Sequence, residues 1–184
     1  NDKKPTLDYN EEGICHACLF AEQKEKIDWK NRERQLKGLL DRHRRNDGYY
    51  DVIVPSSGGK DSSFIAHLLK HKYGMNPLTV TWAPHIYTHI GWKNFQNLIH
   101  AGFDNVLITP NGKLHRKLTK LAFKNLVHPF QPFVIGQKNV APRISLEKKI
   151  SLIMYGENPA EYNTNIKGNE SPLMKEEFYA AEKE

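Results

Sequence analysis

The chain has 184 residues, 39% of them hydrophobic, with a formal net charge of +6 and a pI near 9.2. That suits one domain with a small appendage. It excludes a helical membrane span, since no apolar run approaches the ~20 residues needed, and a disulfide scaffold, since the two cysteines lie three positions apart. Asn1-Asp2-Lys3-Lys4 does not read as a secretory leader, and with no disulfide framework the expected location is the reducing cytoplasm. The basic charge fits tRNA, a nucleotide-bound substrate or an acidic partner as well as it fits a solvated surface.

The first constellation is Cys15-His16-Ala17-Cys18. C-x-x-C on a tight turn presents two thiolates to Zn²⁺, but a structural site needs four ligands. Half a zinc knuckle, a redox pair and two buried thiols are all open readings. Asp28 reads as the N-cap of a helix reaching about Arg45, with Trp29, Leu36, Leu39 and Leu40 in a core-facing stripe and a basic opposite face. Asn46-Asp47-Gly48 turns the chain into the central strand.

Val52-Ile53-Val54 is a β-branched run suited to a strand buried on both faces. From Asp61 the period changes, with Phe64, Ile65, Leu68 and Leu69 on one helical face and Gly74 as the stop. Between them lies Ser56-Ser57-Gly58-Gly59-Lys60-Asp61-Ser62. Two glycines allow a tight turn and a close backbone approach, and the helix start adds unpaired N–H groups and a positive dipole end. Together these predict an anion site, most naturally for phosphates. The segment does not fit G-x-x-x-x-G-K-[ST]. It matches S-G-G-x-D-S and so resembles the PP-loop ATP pyrophosphatases, which hold the β- and γ-phosphates of ATP and leave the α-phosphate open to attack.

Leu78 to Trp82 is the second strand, parallel to the first through a right-handed crossover. Thr88 caps a second helix bearing Ile90, Phe95, Leu98 and Ile99, which ends at Gly102. Val106-Leu107-Ile108 is the third strand, and a third helix sets Leu114, Leu118, Leu121, Ala122 and Leu126 on one face. Pro129, Pro132 and Pro142 argue for an irregular or partly helical excursion over 128–149, before a fourth strand from Ile150 to Tyr155. Repeated β-α units point to an α/β fold with a doubly wound parallel sheet. With strand four beside strand one, Gly156-Glu157-Asn158 faces the glycine loop across the crevice beyond the strand ends, or else builds only a polar turn. The expected layout is a C-x-x-C segment over 1–26, an ATP-binding domain over 27–162 and a polar, weakly helical extension over 163–184.

Several segments together are similar to the N-acetyl sugar amidotransferases of bacterial surface-glycan biosynthesis. They are Glu11 to Cys18, Ile27-Asp28-Trp29, Tyr50 to Ser62, Thr88 with Gly91 and Asn94, Gly102-Phe103-Asp104, and Tyr155-Gly156-Glu157-Asn158 with Glu161-Tyr162. The resemblance implies a PP-loop fold and an ATP-dependent exchange of the acetamido oxygen for ammonia, with AMP and pyrophosphate released. It also implies a second C-x-x-C ahead of the first, with structural Zn²⁺ on Cys15 and Cys18 as a half site. Ser57, Gly58, Gly59, Lys60, Asp61 and Ser62 would hold the phosphates, and Thr81 and Trp82 would meet the adenosine. Gly156 and Asn158 would line the nucleotide site. Lys60, Asp61 and Glu157 are the expected catalytic residues. Asp61 either holds Mg²⁺ or caps its own helix, and Glu157 either contacts a second metal or orients ammonia. A separate glutaminase subunit is the implied ammonia source. The alternatives are a tRNA-modifying enzyme, a thiolase or lysidine-type ligase, and a non-catalytic ATP-binding module. The lack of cysteines after Cys18 weighs against thiolation.

Overall fold

The computed structural model describes residues 9–157. In chain order it contains α1 (His16–Glu25), α2 (Trp29–His43), β1 (Val52–Pro55), α3 (Lys60–His67), β2 (Pro77–Trp82), α4 (His89–His100), β3 (Asn105–Ile108), α5 (Gly112–Leu126), α6 (Gln131–Lys148) and β4 (Leu152–Ile153). Residues Gly38–Gly156 form one compact unit holding the whole sheet; the described residues up to Lys37, with Glu157, belong to another.

The sheet is all parallel, in the order β3-β2-β1-β4. Helical crossovers, of the kind that is right-handed as a rule, carry the chain from β1 to β2 to β3 in one direction, and the return to β4 passes through α5 and α6. This α/β arrangement is compatible with double winding, and the strand order reverses between β1 and β4. β1 and β2 are central, which is why Val52-Ile53-Val54 and Leu78 to Val80 are buried. The core joins Ile53, Leu78, Val80 and Ile150 to Val140, Ala141 and Ile144 of α6. Asp51 fastens the start of β1: its two carboxylate oxygens accept the Arg45 and Asn76 backbone N–H groups at 2.6 and 2.7 Å. In the turn before it, the Arg45 guanidinium holds the Asp47 carboxyl down to about 2.

Local signals match the element ends. The Asp28 side chain accepts the Asn31 N–H at 2.9 Å, and Thr88 accepts the Gly91 N–H at 3.0 Å. Gly74 and Gly102 end their helices with φ of +62° and +91°.

Four expectations are corrected. Residues 131–148 form one helix, α6, despite three prolines nearby. Pro132 occupies its first turn, where the N–H has no helical partner. Pro142 is inside the helix, where burial of Gly136, Val140, Ala141 and Ile144 outweighs one lost hydrogen bond. β4 spans only Leu152–Ile153 rather than Ile150 to Tyr155. The helix after β1 closes with a π-helical turn over Leu68–Lys72, and Phe64 is 62% exposed rather than on the core side. Trp29, Ile90 and the predicted leucines of α5 are also exposed; of the predicted α5 face Ala122 alone is buried, and His115, which was not predicted, turns inward with it. The expected helix near Leu173, Phe178 and Tyr179 lies outside the described residues.

Candidate functional site

Ser56 leaves the buried end of β1 and organises the loop that follows. Its N–H donates to the Val80 carbonyl at 2.9 Å, and its carbonyl accepts the Thr81 hydroxyl, so the loop's root is locked to β2. Its own hydroxyl accepts the Gly58 N–H at 3.3 Å and donates to the Ser62 hydroxyl at 3.0 Å. Ser62 in turn donates to the Gly59 carbonyl at 3.2 Å. The two serines tie strand end to helix start. Ser56 was not among the residues expected at the site; the signal is a small hydroxyl residue where an apolar strand meets the Gly-Gly pair.

The first α3 bond runs from the Ser63 N–H to the Gly59 carbonyl. The N-cap residue, Gly59, supplies no side-chain cap. The first N–H groups of α3 therefore share a site with the positive end of the helix dipole, which favours an anion there. Exposed Lys60 adds an ammonium 2.6 and 2.8 Å from the two Asp61 oxygens. Asp61 thus carries an ion pair in this structure rather than capping its own helix.

Two glycines are required by contacts. Gly58 has φ of +83°, and a Cβ there would stand 2.7 Å from the Phe95 nitrogen of α4. Gly156, just past β4, lies against the first turn of α3; a Cβ there would stand 2.8 Å from the Asp61 carbonyl carbon and the Ser62 nitrogen. Gly59 is different, with only the Ser57 hydroxyl near, at 3.5 Å. Strand order brings Gly156 and the loop together across the β1–β4 boundary.

The remaining expected residues are placed as follows. Thr81 is buried, and its hydroxyl also accepts the Asn105 side-chain amide at 2.9 Å, so it anchors the loop. The Trp82 ring packs on Gly136 of α6, so close that a Cβ at 136 would stand 2.3 Å from it. Glu157 is exposed and belongs to the other unit; Asn158, Glu161 and Tyr162 lie outside the described residues.

In that other unit, Tyr9 and Cys15 form an antiparallel bridge around the turn at Asn10, whose side chain accepts the Glu12 and Ile14 N–H groups. The C-x-x-C does not sit on a tight turn: Cys18 falls in the first turn of α1. The Cys15 and Cys18 sulfurs stand 3.4 Å apart, within hydrogen-bond reach, and a neighbour that favours the protonated Cys18 thiol over a second adjacent thiolate raises the Cys18 pKa. Two sulfurs at that spacing fit two corners of a tetrahedral zinc site. Among the described residues, no group of three or more His, Cys, Asp or Glu side chains gathers to complete one.

None of the described helices is long and apolar enough to cross a membrane. No family model matches the chain. The chain is similar to a Methanocaldococcus jannaschii protein described as uncharacterized protein MJ1599, with 32% identity over 77 residues. The match covers 42% of this chain and 27% of that protein.

Proposed function

We propose that the chain is the ATP-binding part of a PP-loop amidotransferase that converts the acetamido group of an N-acetyl sugar into an acetamidino group. The observation that carries this reading is the Ser56–Ser62 loop. It is an uncapped helix start with a lysine, rooted on a central strand and flanked by Gly156 at the reversal of strand order.

An amide oxygen is a poor leaving group, so ammonia cannot displace it directly. Attack of that oxygen on the α-phosphorus of ATP forms an O–P bond, breaks the α–β phosphoanhydride and gives an O-adenylated imidate, pyrophosphate and a proton. Ammonia then forms the new C–N bond, and the C–O bond breaks to release AMP. The loop's part is positioning and charge neutralisation. Backbone N–H groups from Ser57 to Ser62 hold the departing pyrophosphate at about 1.5–3 kcal/mol per charge-assisted bond. Lys60 shifts from Asp61 to the phosphates. The Asp61 carboxylate, released from that pairing, would be the residue to hold a Mg²⁺ ion. Bound there, the ion would add further neutralisation of phosphate charge. Ammonia comes from a separate glutaminase subunit, and Cys15 and Cys18 supply half of a structural zinc site.

Pyrophosphate release from ATP and Mg²⁺, with ammonium chloride and a panel of free and nucleotide-linked N-acetyl sugars, tests the reading. Turnover that requires a sugar and yields a product in which NH replaces O supports it. Turnover with tRNA alone, or ATP binding without pyrophosphate release on any substrate, overturns it.

A further inference from the structure

Beyond the carboxyl ends of β2 and β3 lies a cavity of about 840 Å³, walled by the loop after β2 from Pro84, by Thr109 and Pro110 after β3, and by α5. Its wall begins three residues past Thr81, the anchor of the glycine loop. At about 3.3 Å per extended residue it starts within roughly 10 Å of the loop's root.

Three kinds of group meet there. Arg116 and Lys120 stand one turn apart on α5, both exposed and both lining the cavity. Like charges at this spacing oppose one another, and an anion between them relieves that. Arg116 uses its Nε–H on the Gly112 carbonyl, one of five guanidinium donors. The second group is a pair of stacked imidazoles, His85 on His115, with centroids 4.3 Å apart and planes 25° apart. His115 is 6% exposed, and its Nε2 has no hydrogen-bond partner; neither has Nε1 of Trp82, whose ring meets it edge-on. The third group is apolar: Ile86, Pro110 and the exposed Phe123.

A basic pair, a flat aromatic stack and an apolar wall select an anion joined to a planar group. The volume exceeds what one sugar ring fills and sits high in the range of small-molecule sites. We propose that this cavity binds the sugar substrate as a nucleotide-linked sugar, with its diphosphate on Arg116 and Lys120 and its base against Phe123 and the His85–His115 stack. The sugar then extends toward the glycine loop, where its acetamido group is adenylated. The proposal rests on the function given above, and it separates the acceptor's site from that of ATP.

Calorimetric titration of the full chain tests it, with UDP-N-acetylglucosamine as probe and N-acetylglucosamine and ATP–Mg²⁺ as comparators. UDP-N-acetylglucosamine is expected to bind without ATP, about tenfold or more tighter than the free sugar, since only it carries the diphosphate. Arg116→Glu with Lys120→Glu weakens it about tenfold or more and spares ATP, whereas Lys60→Ala does the reverse. Circular dichroism checks the fold, and Lys120→Ala serves if the reversal unfolds α5. Unchanged binding in the charge variants, displacement of the probe by ATP, or no binding of the probe overturns the proposal. Probe binding by a chain that does not bind ATP leaves the cavity standing and removes the amidotransferase reading. ATP-driven turnover on a sugar that the charge variants do not impair removes the cavity and leaves the reading.

Discussion

Gly156 rests directly on the backbone of Asp61, with no room between them for a methyl group. A side chain there must push the first turn of α3 away from β4, and with it the N–H groups proposed to hold the phosphates of ATP. Gly156→Ala is expected to destabilise the protein by about 1–3 kcal/mol, as overpacking does. It should weaken ATP binding further than that loss of stability explains. Urea unfolding and ATP titration on the same variant separate the two effects.

The two loop glycines should behave differently. Gly58→Ala meets a left-handed φ and the α4 backbone together, and is expected to cost about 2 kcal/mol or more. Gly59 has φ of −69° and ordinary contacts, so Gly59→Ala should fold with near-native stability. Equal losses in the two variants would show that the approach of α4 to Gly58 does not constrain the loop.

Asp51 serves two backbone donors at once. Asp51→Ala leaves both the Arg45 and Asn76 N–H groups without their acceptor and should cost roughly 2 kcal/mol or more. Asp51→Asn retains one acceptor oxygen and should recover part of that loss in the same denaturation series.

Pro142 lies inside α6 without a backbone N–H. Pro142→Ala restores a donor toward the Lys138 carbonyl and is expected to raise stability by up to ~3 kcal/mol, the helix-interior cost of proline relative to alanine. A lower urea midpoint in the variant would show that the ring's own packing contributes more than the missing bond.

Burial and the neighbouring His85 push the His115 pKa below its ordinary value near 6.5. The unfolded chain therefore takes up a proton at a higher pH than the folded one. Stability from this site is complete above about pH 6.5 and falls as pH drops toward the folded pKa. His115→Phe removes the titration, so the difference in stability between wild type and variant should shift in the variant's favour as pH falls through that window. A difference independent of pH would mean that His115 takes up its proton equally in both states.

Strands, caps and the glycine loop were legible because each depends on neighbours in the chain. Val52-Ile53-Val54, the caps at Asp28 and Thr88, and the stops at Gly74 and Gly102 all act within a few residues. What was not legible depends on distant partners. Nothing within Gln131 to Lys148 announces α6, whose register is fixed by Trp82 filling the space beside Gly136. The apolar stripe of α5 has the right period, yet of its residues only Ala122 is buried and the unpredicted His115 faces inward, because periodicity finds a face without saying what covers it. At the site, Gly58 and Gly59 look alike in sequence; the left-handed φ of Gly58 and the approach of Phe95 to it separate their roles. The His85–His115 stack joins residues from two different β-α connections, and no local spacing links them.

The pairing of β4 with β1 has a consequence for the order of assembly. During synthesis the glycine loop emerges roughly a hundred residues before Gly156, and chains fold as they are made. β1, α3 and β2 can associate early through a short crossover, but the loop's flank closes only after α6 has carried the chain back across the sheet. The proposed nucleotide site is thus the last part of the sheet to be completed. A nascent chain that stalls before residue 152 carries every loop residue and lacks the wall that holds the loop in place.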